Sequence, residues 1–210
     1  MRGHTSRGRL PVNEPEVDAP HYTDDEKAAL TSNLRAVTEA VHGGFISSRP
    51  VRVEVLIDLH RSIFRDVRGH AGRPRGPGFG SEVLRIGPWY STRRGEVDRE
   101  LTELFRWIAR DGAELESLRD AAEYTESALR VALRAHTEVI RIHPFEDGNG
   151  RSSRLLLDWL LVRLELPPVS FDVVRDEYIR ALEESFRGDE GLLLDLAIRL
   201  LSDALAIEIG

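Results

Sequence analysis

No cysteine occurs anywhere in the 210 residues. That excludes disulfide bridges and thiolate metal sites, and it leaves oxygen and imidazole donors, a set that suits magnesium. Long apolar runs are missing too. None approaches the length of a membrane span, and the opening Met1-Arg2-Gly3-His4 leads into no apolar stretch that could act as a secretory signal. A cytoplasmic location without a membrane partner is therefore the expectation, although export by machinery that reads other signals stays open. Positive charge is in short supply as well. Lys and Arg number 29 against 36 Asp and Glu, a formal net charge of -7, which argues against a general nucleic-acid binder because such proteins displace counterions with a basic surface. What remains, 41% hydrophobic and 31% charged, fits one soluble domain with a core of real size.

Residues 1 to 22 mix Gly, Pro, Arg and acidic side chains without periodicity and read as a mobile tail, so that a single domain runs from 23 to 210. Thr23 followed by Asp24, Asp25 and Glu26 supplies a capping hydroxyl and negative charge for a helix over about 24–42, which Gly43-Gly44 ends. Val53, Leu56, Ile57, His60, Ile63, Phe64 and Val67 recur at helical spacing, and His60 on this apolar stripe reads as a structural histidine. From Gly69 to Gly95 the pattern breaks into Gly, Pro and Arg around the β-prone run Glu82 to Ile86, which predicts a long loop carrying a small hairpin. Helical spacing returns at Val97, Leu101, Leu104, Phe105 and Ile108, and again over about 120–141, where His136 sits on the inward face and also reads as structural. After Gly150 a helix is expected from Arg151 to Glu165, stopped by Pro167-Pro168, with two more at about 172–187 and 190–207. The expected fold class is all-α with one hairpin, and no internal repeat is visible.

The segment from His143 to Arg154, His-Pro-Phe-Glu-Asp-Gly-Asn-Gly-Arg-Ser-Ser-Arg, joins two of these helices and gathers a base, carboxylates, small residues and two arginines. Gly148 and Gly150 allow a ligand to approach the backbone, and with Asn149 they lead into a helix whose free N–H groups attract an anion. Arg151 and Arg154, three apart on that helix, share a face and offer forked, permanent charge to further phosphate oxygens. Asp147 is placed to bind a magnesium ion that bridges phosphates, and His143, fixed by Pro144, could take a proton from an attacking hydroxyl. Each element alone is more often a structural histidine, a turn or a pair of solvated arginines. Two other readings fail on the same residues. A P-loop needs Lys where Arg151 stands, and an EF-hand begun at Asp147 would carry Ser152 where a glycine is needed.

The segment resembles the signature of the Fic (Fic/Doc) family, His-Pro-Phe-x-Asp/Glu-Gly-Asn-Gly-Arg-x-x-Arg, at every specified position. Flanking residues Leu59-His60-Arg61, Ile63-Phe64, Asp66-Val67, Ala71-Gly72-Arg73, His136 and Tyr178 through Leu182 look like the family's other helices, over about residues 50–200. The resemblance implies a Fic-type helical domain that transfers AMP from ATP and Mg²⁺ to a Ser, Thr or Tyr hydroxyl of a target protein. It makes His143 the general base, Asp147 the metal ligand, Gly148, Asn149 and Gly150 the anion hole, and Arg151 and Arg154 the polyphosphate ligands. A hairpin near Ser81 to Gly87 is similar to the family's flap, which adds the target as an extra strand, with Leu84 and Ile86 as its contacts.

Relatives that phosphorylate their target typically carry Ala and Lys in the cradle, so Gly148 and Gly150 favour nucleotidyl transfer. Members that move phosphocholine share the full signature, which leaves another nucleoside triphosphate or CDP-choline open as donor. Many relatives carry an inhibitory Ser/Thr-x-x-x-Glu-Gly/Asn motif. Here Ser185 meets Asp189 at that spacing, Glu190-Gly191 is preceded by Phe186, and Thr92 reaches Glu96 only for Val97 to follow. A separate, antitoxin-like inhibitor protein is the resulting expectation, and association into a homodimer stays open. A non-catalytic binding module is the alternative class, against which the retention of both His143 and Asp147 argues.

Overall fold

A computed structural model describes residues 21–171 and 174–209. The tail expected over 1 to 22 lies outside the described residues except for His21 and Tyr22. Seven α-helices and one hairpin, with two short 3-10 turns, are the regular elements of the described part: α1 (Asp24–His42), α2 (Val53–Ile63), β1 (Arg85–Ile86), β2 (Trp89–Tyr90), α3 (Val97–Leu115), α4 (Tyr124–Ile142), α5 (Asn149–Arg163), α6 (Arg175–Phe186) and α7 (Gly191–Ile209). The all-α expectation and its small hairpin are what the chain adopts.

Local chemistry explains the boundaries. At the start of α1 the Thr23 hydroxyl accepts from Glu26 N–H at 3.2 Å, and Thr23 N–H donates back to the Glu26 carboxylate at 2.8 Å, a reciprocal box that satisfies two orphan donors. Helix α2 stops at Ile63 although the apolar stripe continues, and Phe64 and Val67 reach the core from the turn that follows. Helix α5 ends ahead of the two prolines. Glu165 takes a left-handed conformation with φ of 60°, Leu166 N–H reaches back to Leu161 O at 2.8 Å, and Glu165 N–H bonds Val162 O at 3.1 Å. This is the Schellman pattern, which satisfies the last carbonyls without glycine.

The centre of the molecule is α5. Leu155, Leu156, Leu157, Trp159, Leu160 and Leu161 are all buried, so the helix is apolar around most of its circumference, as a helix enclosed by others must be. Helices α1, α2 and α4 pack against it. The C-terminus of α4 therefore meets the N-terminus of α5 across a six-residue connection, and that junction holds the signature segment. None of the helices among the described residues is long and apolar enough to cross a membrane.

Candidate active site

Helix α4 ends on His143, held at φ 52° and ψ 61°, with its N–H bonded to Val139 O at 2.9 Å. A left-handed conformation costs a residue with a Cβ about 1–2 kcal/mol, so the surroundings must enforce it. They do so through Arg75, whose Nε donates to His143 O at 2.9 Å and whose N–H donates to Pro144 O at 2.7 Å. The half-buried imidazole of His143 sets Nδ1 at 3.2 Å from Ile140 O. A carbonyl can only accept, so Nδ1 carries the proton and Nε2 is left as the acceptor. Burial lowers the pKa of His143 to about 4, with the Ile140 carbonyl opposing this and the Arg75 cation reinforcing it. The ring is neutral at pH 7.

The turn beyond His143 is rigidified from inside. Asn149, 2% exposed, accepts the Phe145 N–H on Oδ1 at 2.9 Å and donates from Nδ2 to Phe145 O at 2.8 Å, so its amide is spent on the loop. Only its backbone remains for a ligand. Phe145 stacks on His60 with ring centroids 3.8 Å apart, and Phe64 flanks the other side at 4.6 Å. His60 Nδ1 accepts the Gly72 N–H at 2.8 Å, which fixes the proton on Nε2, and Nε2 lies 3.0 Å from Asp147 O. Burial pushes the His60 pKa down to about 4, so this strut stays neutral. Gly148 has φ of 77°, and a Cβ there would lie 2.2 Å from Phe64 Cε2, so no other residue fits without a shift.

Gly148 caps α5, its carbonyl accepting from Ser152 N–H at 2.9 Å. The N–H groups of Asn149, Gly150 and Arg151 follow as the first in the helix, and helix geometry gives them no carbonyl partner within it. Together they form a partial positive charge facing out of the loop. A Cβ on Gly150 would meet only Arg154 Nη1 at 3.6 Å, ordinary contact, so the packing here does not require a glycine. Arg154 makes no ion pair among the described residues. Arg151 does: its Nη2 lies 3.3 Å from both Asp147 oxygens, and its guanidinium sits 4.7 Å over the Phe64 ring.

Asp147 Oδ1 also accepts the Gly148 N–H at 2.6 Å. The carboxylate keeps lone pairs toward solvent, at 21% exposure. No cluster of three or more His, Asp or Glu suited to a metal occurs among the described residues. One carboxylate beside the open start of α5 nevertheless fits magnesium, which takes one or two protein carboxylates and draws its remaining ligands from substrate phosphates and water.

The hairpin is built onto the same junction by a residue that carries no periodic signal. The guanidinium of Arg75, a residue 1% exposed, donates to five carbonyl oxygens, those of Ser81, Glu82, Thr92, Ile142 and His143, and to the Ser91 hydroxyl. It ties the foot of the hairpin to the carbonyl end of α4, where a cation is favoured. From the other side the Glu146 carboxylate accepts both the Ser81 N–H and the Ser81 hydroxyl. The hairpin pairs Arg85 with Tyr90 and Ile86 with Trp89 across the Gly87-Pro88 turn. It is shorter than the run from Glu82 predicts, because the Glu82 and Leu84 carbonyls bond Arg94 N–H at 2.8 Å and Ser91 N–H at 2.9 Å outside the regular ladder. Leu84, expected as a target contact, turns its side chain inward. It is 5% exposed, and its N–H bonds Ser91 Oγ at 2.8 Å, so its side chain belongs to the interior. Ile86 is half-buried and packs against the core, while Arg85 and Tyr90 show on the outer face.

His136 is enclosed, with Nε2 at 2.9 Å from the Tyr178 hydroxyl, and burial lowers its pKa to about 4. His60 and His136 thus both sit among core side chains, but His60 has a second task at the loop. Neither Arg75 nor Glu146 carries a signal of its own in the sequence. Glu146 occupies the variable position of the signature, and the Arg75 guanidinium reaches His143 O, 68 positions away.

One turn of a helical domain thus presents a neutral imidazole, a carboxylate and the open N-terminus of α5. The Fic/DOC family model matches residues 50–161, more than half of the chain, and the protein belongs to that family. It is 27% identical over 150 residues to the protein adenylyltransferase Fic of Drosophila melanogaster, an alignment covering 71% of this chain and 28% of that protein. The chain therefore spans under a third of the length of the curated relatives it matches. Among solved structures, Fic-1 (residues 134–508) of C. elegans superposes with a TM-score of 0.68 at 23% identity, covering 92% of this chain and 54% of that one. The Bartonella tribocorum effector BepC, solved with bound AMPPNP, superposes with a TM-score of 0.57 at 18% identity, covering 82% and 86%. At these identities the superpositions bear on the fold alone.

Proposed function

We propose that the chain is a protein adenylyltransferase that moves AMP from ATP to a Ser, Thr or Tyr hydroxyl of a target protein. The observation that carries this reading is the geometry of His143 at the junction. Its Nδ1–H is committed to Ile140 O, so Nε2 is an unprotonated acceptor on the same turn as Asp147 and the open start of α5. A relative named protein adenylyltransferase supports adenosine triphosphate as donor.

In this mechanism the N–H groups at the start of α5 and the guanidinium groups of Arg151 and Arg154 hold the phosphates. Asp147 would hold magnesium, which when bound offsets the charge of the triphosphate. The target hydroxyl oxygen attacks the α-phosphorus, the bond to the bridging oxygen of pyrophosphate breaks, and the hydroxyl proton passes to His143 Nε2. Negative charge from the bound triphosphate favours the protonated ring and so raises the basicity of a group that is weak in the free protein. Ile86, with the Arg85 backbone beside it, would receive the target as an added strand.

Purified chain incubated with magnesium and labelled ATP should label itself or proteins of a cell extract, and His143→Ala should abolish labelling with an unchanged melting temperature. Labelling by the variant at the wild-type rate would remove the base from the mechanism.

A further inference from the structure

Tyr22 lies outside the residues that match the family and outside the signature, yet it touches the signature directly. Its hydroxyl is 3.3 Å from Arg151 Nη2, and its ring faces the same guanidinium at 5.8 Å. The ring is itself clamped. Arg68 stacks on it at 4.4 Å and donates to His21 O at 3.1 Å, while the same guanidinium pairs with Glu26. Glu26 is in turn the carboxylate of the α1 capping box. Tyr22 is therefore locked at the head of α1 by groups that would be satisfied without Arg151.

Three acceptors, Tyr22 Oη and the two Asp147 oxygens, crowd onto one nitrogen of Arg151, each at 3.3 Å. Nη1 and Nε have no acceptor among the described residues. Phe64 covers one face of the guanidinium at 4.7 Å. An arginine free to rotate loses side-chain entropy of the order of 2 kcal/mol when it grips a phosphate, whereas one already oriented loses less per bond formed. With Nη2 held by protein, the remaining edge keeps the forked geometry that suits a phosphate oxygen pair.

We infer that Tyr22 is a positioning residue for the polyphosphate site: it holds Arg151 by one nitrogen and one ring face so that the other edge of its guanidinium meets the phosphate tail of the nucleotide. This rests on the proposed role of Arg151 in binding the donor. The strap from His21 to Thr23 thereby makes the segment before the family-matched region part of the nucleotide site.

Calorimetric titration of the full chain with magnesium-ATP, inorganic tripolyphosphate and AMP tests this, comparing wild type with Tyr22→Phe and Tyr22→Ala. Loss of ring and hydroxyl should weaken ATP and tripolyphosphate roughly tenfold, and loss of the hydroxyl alone roughly two- to threefold, because the ring is retained. AMP, which lacks the tail, should bind all three proteins alike. In the transfer assay KM for ATP should follow the affinity while kcat stays within about twofold. Unchanged or tighter ATP and tripolyphosphate binding by Tyr22→Ala overturns the inference, as does AMP weakened to the same extent, or a wild-type chain that binds neither polyphosphate. If the Tyr22-dependent binding is present but no AMP is transferred, the proposed activity falls and the positioning role stands.

Discussion

The Nε2–H of His60 donates to the carbonyl oxygen of Asp147 across 3.0 Å, so a residue of α2 fixes the backbone of the turn that precedes the cradle. The other ring nitrogen is held by the Gly72 N–H at 2.8 Å, and the two aromatic rings of Phe64 and Phe145 enclose the imidazole. Replacing His60 with Ala removes both bonds and opens a cavity between the rings. A loss of about 2–4 kcal/mol in urea unfolding is expected, together with a loss of nucleotide affinity as the turn loosens. A His60→Ala protein with wild-type stability and affinity contradicts this role.

The two glycines of the cradle should behave oppositely. Gly148→Ala forces a Cβ into Phe64 at a positive φ, which should cost at least about 2 kcal/mol of stability. Gly150→Ala meets only ordinary contact in the protein, so its melting temperature should stay within about 2 °C of wild type or rise, alanine being the better helix former. Its effect should fall on ATP binding, because the added methyl stands at the proposed phosphate site. Equal destabilisation of the two variants in a thermal melt contradicts the account.

Arg75 carries a heavier prediction. Arg75→Met leaves five carbonyl oxygens and the Ser91 hydroxyl short of a donor and frees the foot of the flap from α4. Destabilisation of about 3–5 kcal/mol is expected. Hydrogen exchange should speed up at residues 81–92 and at the end of α4 together. Faster exchange confined to the hairpin would show that Arg75 does not couple the two.

How much of this was legible in the sequence follows from how local each cause is. The α1 boundaries are written in Thr23, Glu26 and Gly43, which act on neighbours three or four residues away, and the signature loop is contiguous, so both could be read directly. Arg75 could not, because its partners at Ile142 and His143 are 67 and 68 positions away and a buried cation among carbonyls leaves no periodic trace. The burial of Leu84 was hidden for a related reason. Alternation alone does not say which face of a two-residue strand is inward, and the burial of Leu84 is decided by Ser91 and the core beneath. The early end of α5 was also hidden, since Glu165 adopts a conformation usually left to glycine.

Three histidines, His60, His136 and His143, have pKa values lowered by burial to about 4 from the ordinary 6.5. Above pH 6.5 they are neutral in both the folded and unfolded chain and contribute no pH dependence. Below it the unfolded chain binds protons that the folded one refuses, so stability falls as pH drops from 6.5 toward 4. The slope is about 1.4 kcal/mol per pH unit for each fully buried ring, and His143, part-exposed, contributes less. Melting temperature measured from pH 8 to 4.5 should be level to about 6.5 and then decline. A level profile down to pH 4.5 contradicts the assignment of neutral buried rings.

The central claim is that the turn from His143 to Arg154 transfers a nucleoside monophosphate to a protein hydroxyl. The most direct measurement is mass spectrometry of modified protein after incubation with ATP, other nucleoside triphosphates and CDP-choline side by side. The account predicts a mass gain of one AMP on a Ser, Thr or Tyr side chain, supplied by ATP and lost in His143→Ala. Phosphocholine or a bare phosphate on the target, or no adduct with any donor, contradicts it.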